Sequence, residues 1–262
     1  ADNNSAFGNG VLAANTTGTS NTGVGKNALE ANTTANNNTA VGKNALGANT
    51  TGASNVAVGQ EALAANTTAA NNTAVGRVAL DANTTGTANV AVGTNALGTS
   101  TTASENTAVG NAALFATTTG ADNVGIGASA LDSTTTGGEN TAIGHQAGHN
   151  LTTGVNNTLL GHEAGTDAVA NVVASNGNIV IGNNYSASAK IKIDWTVTSD
   201  LRDKTEIESV PHGLNFVNQI TPIKYRFKTS RENDTPNGVT RYGFKAQEIL
   251  ALEGENPVLV DN

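Results

Sequence analysis

Two sets of side chains in this sequence have types and spacings that could do chemistry. The first is Ser199 and Lys204, five residues apart in Thr198-Ser199-Asp200-Leu201-Arg202-Asp203-Lys204. A hydroxyl attacks when a base takes its proton, and an amine is such a base when burial or nearby cations such as Arg202 hold it unprotonated. A Ser and a Lys at this distance arise by chance in most proteins, so their meaning rests on their surroundings. The second set is His145 and His162, at equivalent positions of two successive copies of a repeat. Stacked imidazoles could bind a metal. The equivalent positions upstream are Lys26, Lys43, Gln60, Arg77, Thr94 and Asn111, which is the composition of a solvent-facing column. No metal or cofactor is therefore expected.

Other chemistry is excluded by what the chain lacks. It has no cysteine, hence no disulfide, thiolate ligand or Cys nucleophile. No Gly-rich phosphate loop and no paired-carboxylate cleft stands out, and no turnover enzyme is expected in residues 1–183. Asn-x-Thr triplets such as Asn15-Thr16-Thr17 match glycosylation acceptors, but they are by-products of a repeat. No apolar run is long enough to cross a membrane. The net charge of −8 argues against nucleic acid as a partner. The chain begins at Ala1 without a Met, which suggests that it lies within a longer protein or follows a removed leader.

Composition then limits the elements that could position these groups. Ala, Asn, Thr and Gly dominate, aromatic residues make up 3%, and Met is absent. So few large apolar side chains cannot fill a broad core, and the chain must stack into something thin. Charge is also unevenly spread. Residues 1–198 carry 5 basic and 11 acidic side chains, and the much shorter 199–262 carries 8 and 10. A domain boundary is therefore expected near Ser199.

The thin element is a repeat. Asn, a Thr, Val or Ser, an Ala or Gly, a large apolar residue and a Gly recur from Asn4, Asn21, Asn38, Asn55, Asn72, Asn89, Asn106, Asn123, Asn140 and Asn157. The step is the same each time, a 17-residue period, with Leu159 the one variation. An eleventh copy begins at Asn178 after a longer step, with four extra residues around Asp167–Asn176. An Ala-Leu pair follows each motif, from Ala28-Leu29 to Ala130-Leu131, and a Thr-rich tract follows the pair. Gly and β-branched residues every few positions oppose helix and favour short strands broken by turns.

With one repeat per coil, identical positions stack at about 4.8 Å, and eleven coils span roughly 50 Å. Three expectations follow. Val24, Val41, Val58, Val75, Val92, Val109, Ile126 and Ile143 form an interior ladder, faced by the Leu column. The Asn column links its amides from coil to coil. The Ala/Gly column, with Ala40, Ala57, Ala74 and Ala91, points the other way and meets partner chains at the axis of a homotrimer.

Units such as Asn38-Thr39-Ala40-Val41-Gly42-Lys43-Asn44-Ala45-Leu46 resemble the left-handed β-roll repeats of trimeric autotransporter adhesin heads, which also occur in phage tail fibres and bacterial surface fibres. The resemblance covers about residues 4–183 and implies a trimer, here with a longer coil than is common in adhesin heads.

After Gly182 the repeat ends. Residues 184–198 are expected as a transition, with Ile191-Lys192-Ile193-Asp194-Trp195-Thr196-Val197-Thr198 alternating as a strand. Trp195, the single tryptophan, is expected to cap the shaft.

Downstream of Ser199 the landmarks are Ile207, Gly213-Leu214, Val217, Ile220, Pro222-Ile223-Lys224-Tyr225-Arg226-Phe227, Tyr242-Gly243-Phe244-Lys245-Ala246-Gln247-Glu248-Ile249 and Pro257-Val258. Together with the Ser-Asp-x-Arg-x-Lys start, they resemble the peptidase S74 intramolecular chaperone, found at the C-termini of phage endosialidases, tail spikes and neck appendages. The likeness covers residues 199–262. It implies a chaperone that trimerises, templates the fibre before it and cuts itself off, with Ser199 as nucleophile, Lys204 as general base and Thr198–Ser199 as the scissile bond. It also implies long C-terminal helices, so the chaperone is expected to be incomplete where the sequence ends at Asn262.

The fold class expected is thus mainly β: a trimeric left-handed β-roll or β-solenoid of 17-residue coils over 1–183, then a small α+β chaperone segment over 199–262. The function expected is a structural tail fibre of a virion that contacts a host receptor or glycan. The alternatives are a bacterial cell-surface adhesin, and the shaft of a depolymerising tail spike whose enzyme lies upstream.

Overall fold

A computed structural model describes residues 2–167, 170–186, 214–230 and 233–253. The chain divides into two compact units, Ala1–Lys190 and Ile191–Asn262.

In the first unit one repeat makes one coil. Each coil contributes a single three-residue strand. β1 (Ser5–Phe7), β2 (Thr22–Val24), β3 (Thr39–Val41), β4 (Val56–Val58), β5 (Thr73–Val75) and β6 (Val90–Val92) are followed by β7 (Thr107–Val109), β8 (Val124–Ile126), β9 (Thr141–Ile143), β10 (Thr158–Leu160) and β11 (Ile179–Ile181). They form one parallel sheet in strict chain order, each residue paired with its equivalent one coil away. A parallel ladder with no crossing over is what a constant period produces, because every strand meets its own copy.

The turns that close each coil depend on backbone conformations forced by the sequence. The Gly after each strand has a φ between 119° and 141° from Gly25 to Gly161. A Cβ at Gly59 would lie 2.3 Å from the Gly76 carbonyl oxygen, so the next coil leaves no room for a side chain. Leu29, Leu46, Leu63, Leu80, Leu97, Leu114 and Leu131 hold φ near 50°, a left-handed conformation costing about 1–2 kcal/mol for such a residue. Each is completely buried, and burial of a Leu side chain is worth about 1.5–3 kcal/mol, which offsets that strain.

The expected assignment of inside and outside is corrected here. From β2 to β10 it is the middle residue, as at Ala40, Ala57, Ala74, Ala91 and Ala108, that is buried, inside its own coil, and these alanines form one cluster with the Ala-Leu pairs. The Val column faces outward. Val24, Val41, Val109, Ile126 and Ile143 are exposed, and Val58, Val75 and Val92 are half-buried. The interior is thin: one Leu and two Ala methyl groups fill a coil. Val and Leu together would overfill it, so the small residue of the alternating pair turns inward. The Ala/Gly column is therefore not available as a face toward partner chains.

Departures from the repeat obey the same volume limit. Leu159 stands where other coils carry Ala, while Gly148 and Gly165 stand where other coils carry Leu. A Cβ on Gly148 would meet Leu131 Cδ2 and Leu159 Cδ1, both at 2.7 Å, so the Leu159 side chain, entering from the facing position, takes up the space a side chain at 148 would need. In the first coil Val11 replaces the usual Ala, and Gly23 makes room, since a Cβ there would lie 2.4 Å from Val11 Cγ1.

The four additional residues fall between Thr166 and Asn171, which bridge antiparallel. Beyond them the coil-to-coil bonds connect residues four further apart in sequence than in the coils before, as in Thr152 N donating to Val173 O at 2.7 Å. Across the insertion the ladder continues without a change of register.

In the second unit, α1 (Leu214–Val217) precedes an antiparallel hairpin, β12 (Ile223–Ser230) with β13 (Asn233–Gly243), and α2 (Ala246–Glu253) follows. The expected strand over residues 191–198, with Trp195, lies outside the described residues.

Candidate functional site

The shaft positions its polar groups through two interior asparagine ladders. The first was expected. From Asn4 to Asn157 the Oδ1 of each strand-leading Asn accepts the backbone N–H of the Asn one coil on, and at several coils the side chain bonds three ways, as at Asn38. Its Oδ1 accepts from the Asn55 backbone N–H at 2.9 Å and from Asn55 Nδ2 at 3.2 Å, and its own Nδ2 donates to Gly52 O at 2.9 Å. These residues are buried, and the ladder satisfies amide groups that would otherwise be costly inside.

The second ladder lies in the tract read from sequence only as Thr-rich. Asn32, Asn49, Asn66 and Asn83 each donate from Nδ2 to Oδ1 of the Asn one coil before, at 2.8 to 3.2 Å. Its signal was in the sequence, as an Asn recurring with the period of the repeat before each Thr pair. The two Thr of each pair divide roles. Thr33, Thr50 and Thr67 donate from Oγ1 to the carbonyl of the Thr one coil on, and Thr34, Thr51 and Thr68 are exposed.

His145 and His162 do meet. Their rings stack with centroids 5.1 Å apart and planes 17° from parallel, on an exposed column. Among the described residues no group of three or more His, Asp or Glu could hold a metal ion. His149 Nδ1 lies 2.5 Å from Asp132 Oδ1 on the coil before, a contact that sequence reading missed. Asp81 was missed as well. Burial pushes its carboxyl above the ordinary carboxylate range, and nearby Glu61 adds to the rise, while backbone N–H groups and Arg77 pull the other way.

At the C-terminal end of the described shaft, a cleft of about 310 Å³ is lined by Asp167, Val180, Gly182, Asn183, Asn184 and Ser186, among others. Asn184 donates its backbone N–H to Asp167 Oδ2 at 2.6 Å, which ties Asp167 to the chain leaving the last coil.

Thr198, Ser199 and Lys204 lie outside the described residues. The described part of the second unit brings together two stretches that are well separated in sequence. Ile223 pairs with Gly243, Lys224 with Tyr242 and Tyr225 with Arg241, so Pro222-Ile223-Lys224-Tyr225-Arg226-Phe227 lies beside the start of Tyr242-Gly243-Phe244-Lys245-Ala246-Gln247-Glu248. The second stretch turns into α2, where Lys245 Nζ pairs with Glu248 Oε1 at 2.5 Å. Tyr242 and Phe244 are exposed, an apolar surface at the hairpin's end. No helix among the described residues is long and apolar enough to cross a membrane.

Residues 199–258 match the family model Peptidase_S74, described as chaperone of endosialidase. No curated protein matches the chain, and neither does any solved structure. The chain thus joins an N-terminal β-solenoid of 17-residue coils to a C-terminal domain of the endosialidase-chaperone type.

Proposed function

We propose that this chain is part of a trimeric, left-handed fibre of a phage tail that contacts the host surface, and that its C-terminal domain assembles the fibre and then cuts itself away. The supporting observation is the order of parts. A solenoid of short parallel strands is followed directly by a segment matching the endosialidase chaperone. A long ladder of identical coils has a folding problem that such a domain would solve. Each strand can pair with the wrong copy at nearly the same energy, and long-range parallel pairing is slow. A template that sets the first register would remove the ambiguity. On this reading residues 1–183 are the shaft, 184–198 the transition and 199–262 the chaperone.

The cleavage is assigned to the Ser-Asp-x-Arg-x-Lys stretch. Ser199 Oγ attacks the carbonyl carbon of Thr198 while the unprotonated Lys204 amine takes the hydroxyl proton. The C–N bond between Thr198 and Ser199 breaks, the acyl group passes to Oγ, and the freed Ser199 amino group takes up a proton. Water then hydrolyses the ester, leaving a Thr198 carboxylate and restoring the Ser199 hydroxyl. Lys204 serves as base only when unprotonated, which burial on assembly would bring about, so cleavage would report correct folding.

The test is N-terminal sequencing of the released fragment, with Ser199→Ala and Lys204→Ala alongside. The fragment should begin at Ser199, and both variants should stay full-length yet folded. Cleavage that persists in Ser199→Ala refutes the assignment.

A further inference from the structure

We infer that the paired threonine columns of the shaft form a face that binds ice, the ligand being the ordered water lattice of a crystal and not a dissolved molecule. The inference is independent of the fibre reading above. Three observations support it.

The first is a repetition that the fold does not require. Thr16-Thr17, Thr33-Thr34 and Thr50-Thr51 continue at each coil to Thr152-Thr153, so both positions are Thr in nine successive coils. The first Thr of each pair holds the coils together, its Oγ1 donating to the backbone carbonyl one coil on, at 2.9 Å from Thr16 and 3.0 Å from Thr152. The second Thr makes no such bond. It is exposed at all nine coils, and among the described residues its hydroxyl has no protein partner. An extended backbone does not demand it, since Val suits such a position as well as Thr does. The same shaft makes that exchange freely elsewhere: the first strand residue runs Thr39, Val56, Thr73, Val90. In the paired columns the exchange never occurs.

The second is the chemistry around the pairs. From Ala14 to Thr19 in the first coil, and over the equivalent stretch of each coil to Asn150–Val155 in the ninth, no residue is charged or aromatic. An ionic ligand finds no partner there, and a sugar ring finds no aromatic face to stack on. What the face presents is methyl groups, which order the adjoining water, and hydroxyls, which bond to it.

The third is geometry. The same backbone bonds recur beneath the pairs, as in Thr50 N donating to Thr67 O at 2.9 Å and Thr135 N to Thr152 O at 2.8 Å. Eight coil steps of about 4.8 Å give rows roughly 40 Å long with one fixed step. Thr is β-branched and stiff at χ1, so the rows lose little side-chain freedom on binding. A surface with a fixed step along one direction fits a periodic ligand, and the oxygen rows of an ice crystal repeat at nearly this step. Water held along the rows joins the crystal face, and the advancing ice front is pinned wherever a protein molecule sits.

The test is nanolitre osmometry on the full chain, which reads the gap between the melting and freezing temperatures of a single ice crystal. The gap should open and widen with protein concentration. Thr68→Lys with Thr85→Lys interrupts the rows at mid-shaft and should narrow the gap several-fold. Gln60→Lys with Asn111→Lys adds the same charge to an exposed column on another face and should leave the gap unchanged. Circular dichroism checks that each variant keeps the β signal of the parent. Thr68→Ser with Thr85→Ser is the milder second variant: it keeps the hydroxyls, removes the methyl groups and should also narrow the gap. A folded full chain that leaves ice growth unaltered at millimolar concentration overturns the inference, as does a folded lysine or serine pair with an unchanged gap. A control pair that loses the gap as fully as the lysine pair overturns the assignment of the face.

Discussion

Replacing Ser100 by Asn tests whether the second asparagine ladder is an energetic element of the shaft. The ladder runs through Asn32, Asn49, Asn66 and Asn83, then reaches Ser100, Thr117 and Thr134 at the same position of the next three coils. Ser and Thr are too short to span the gap between coils here. Asn83 Oδ1, Ser100 Oγ and Thr117 Oγ1 are all buried and have no hydrogen-bond partner. The backbone continues without change: Ser100 N donates to Leu97 O at 3.1 Å, as Asn83 N does to Leu80 O at 3.3 Å. An Asn at 100 therefore occupies a site already shaped for one. Its Nδ2 would reach Asn83 Oδ1 and the Ala103 carbonyl, matching the bonds of Asn66 to Asn49 Oδ1 at 2.8 Å and to Ala69 O at 3.0 Å. Two bonds at about 0.5–1.5 kcal/mol each, less the ordering of one side chain, give a net gain of about 1–2 kcal/mol. At about 2–4 °C per kcal/mol for a chain of this size, the melting point should rise by several degrees. Thermal unfolding by circular dichroism at a fixed scan rate reads the shift, with Ser100→Ala as the reference for a changed but unladdered site. A Ser100→Asn protein that melts no higher than the parent would mean that the ladder bonds merely replace bonds to water, and the reasoning would fail.

Ala74→Leu should destabilise each chain from within by about 1–3 kcal/mol, because its column is interior; at Gly125 in that column even a methyl group would lie 3.1 Å from Leu114 Cγ. Adding Leu63→Gly and Leu80→Gly reproduces the exchange seen around Leu159 and should restore part of the loss. A single Ala74→Leu with an unchanged denaturation midpoint would contradict the packing described. Asp81→Asn should stabilise the shaft at pH 7. The folded-state pKa of Asp81 is raised, so the folded chain binds the proton more tightly, and stability contributed by this group falls as pH rises through that pKa. The benefit of Asp81→Asn should vanish below the usual carboxylate range, and denaturant midpoints at pH 7 and pH 3 that shift equally would rule the explanation out.

Much of this protein was decided in the sequence itself. A constant step held over ten copies dictates one strand per coil, parallel pairing and a stack of Asn amides, because equal spacing places each residue over its own copy. The Gly after each strand was legible for the same reason, as was the site of the inserted residues. The Ser-Asp-x-Arg-x-Lys stretch and the landmarks after it pointed to the chaperone that the family match then identified over residues 199–258. The second ladder was equally periodic and was overlooked, because the Thr pair after each Asn drew the reading toward a turn. What the tertiary structure alone decided was which way the strand faces. Alternation states that Ala74 and Val75 point to opposite sides, and says nothing about which side is inside. A rule based on apolar size puts Val inside. The closed coil puts Ala there, because the Leu that follows already fills a cross-section one side chain wide, and the larger residue of the pair is left on the surface.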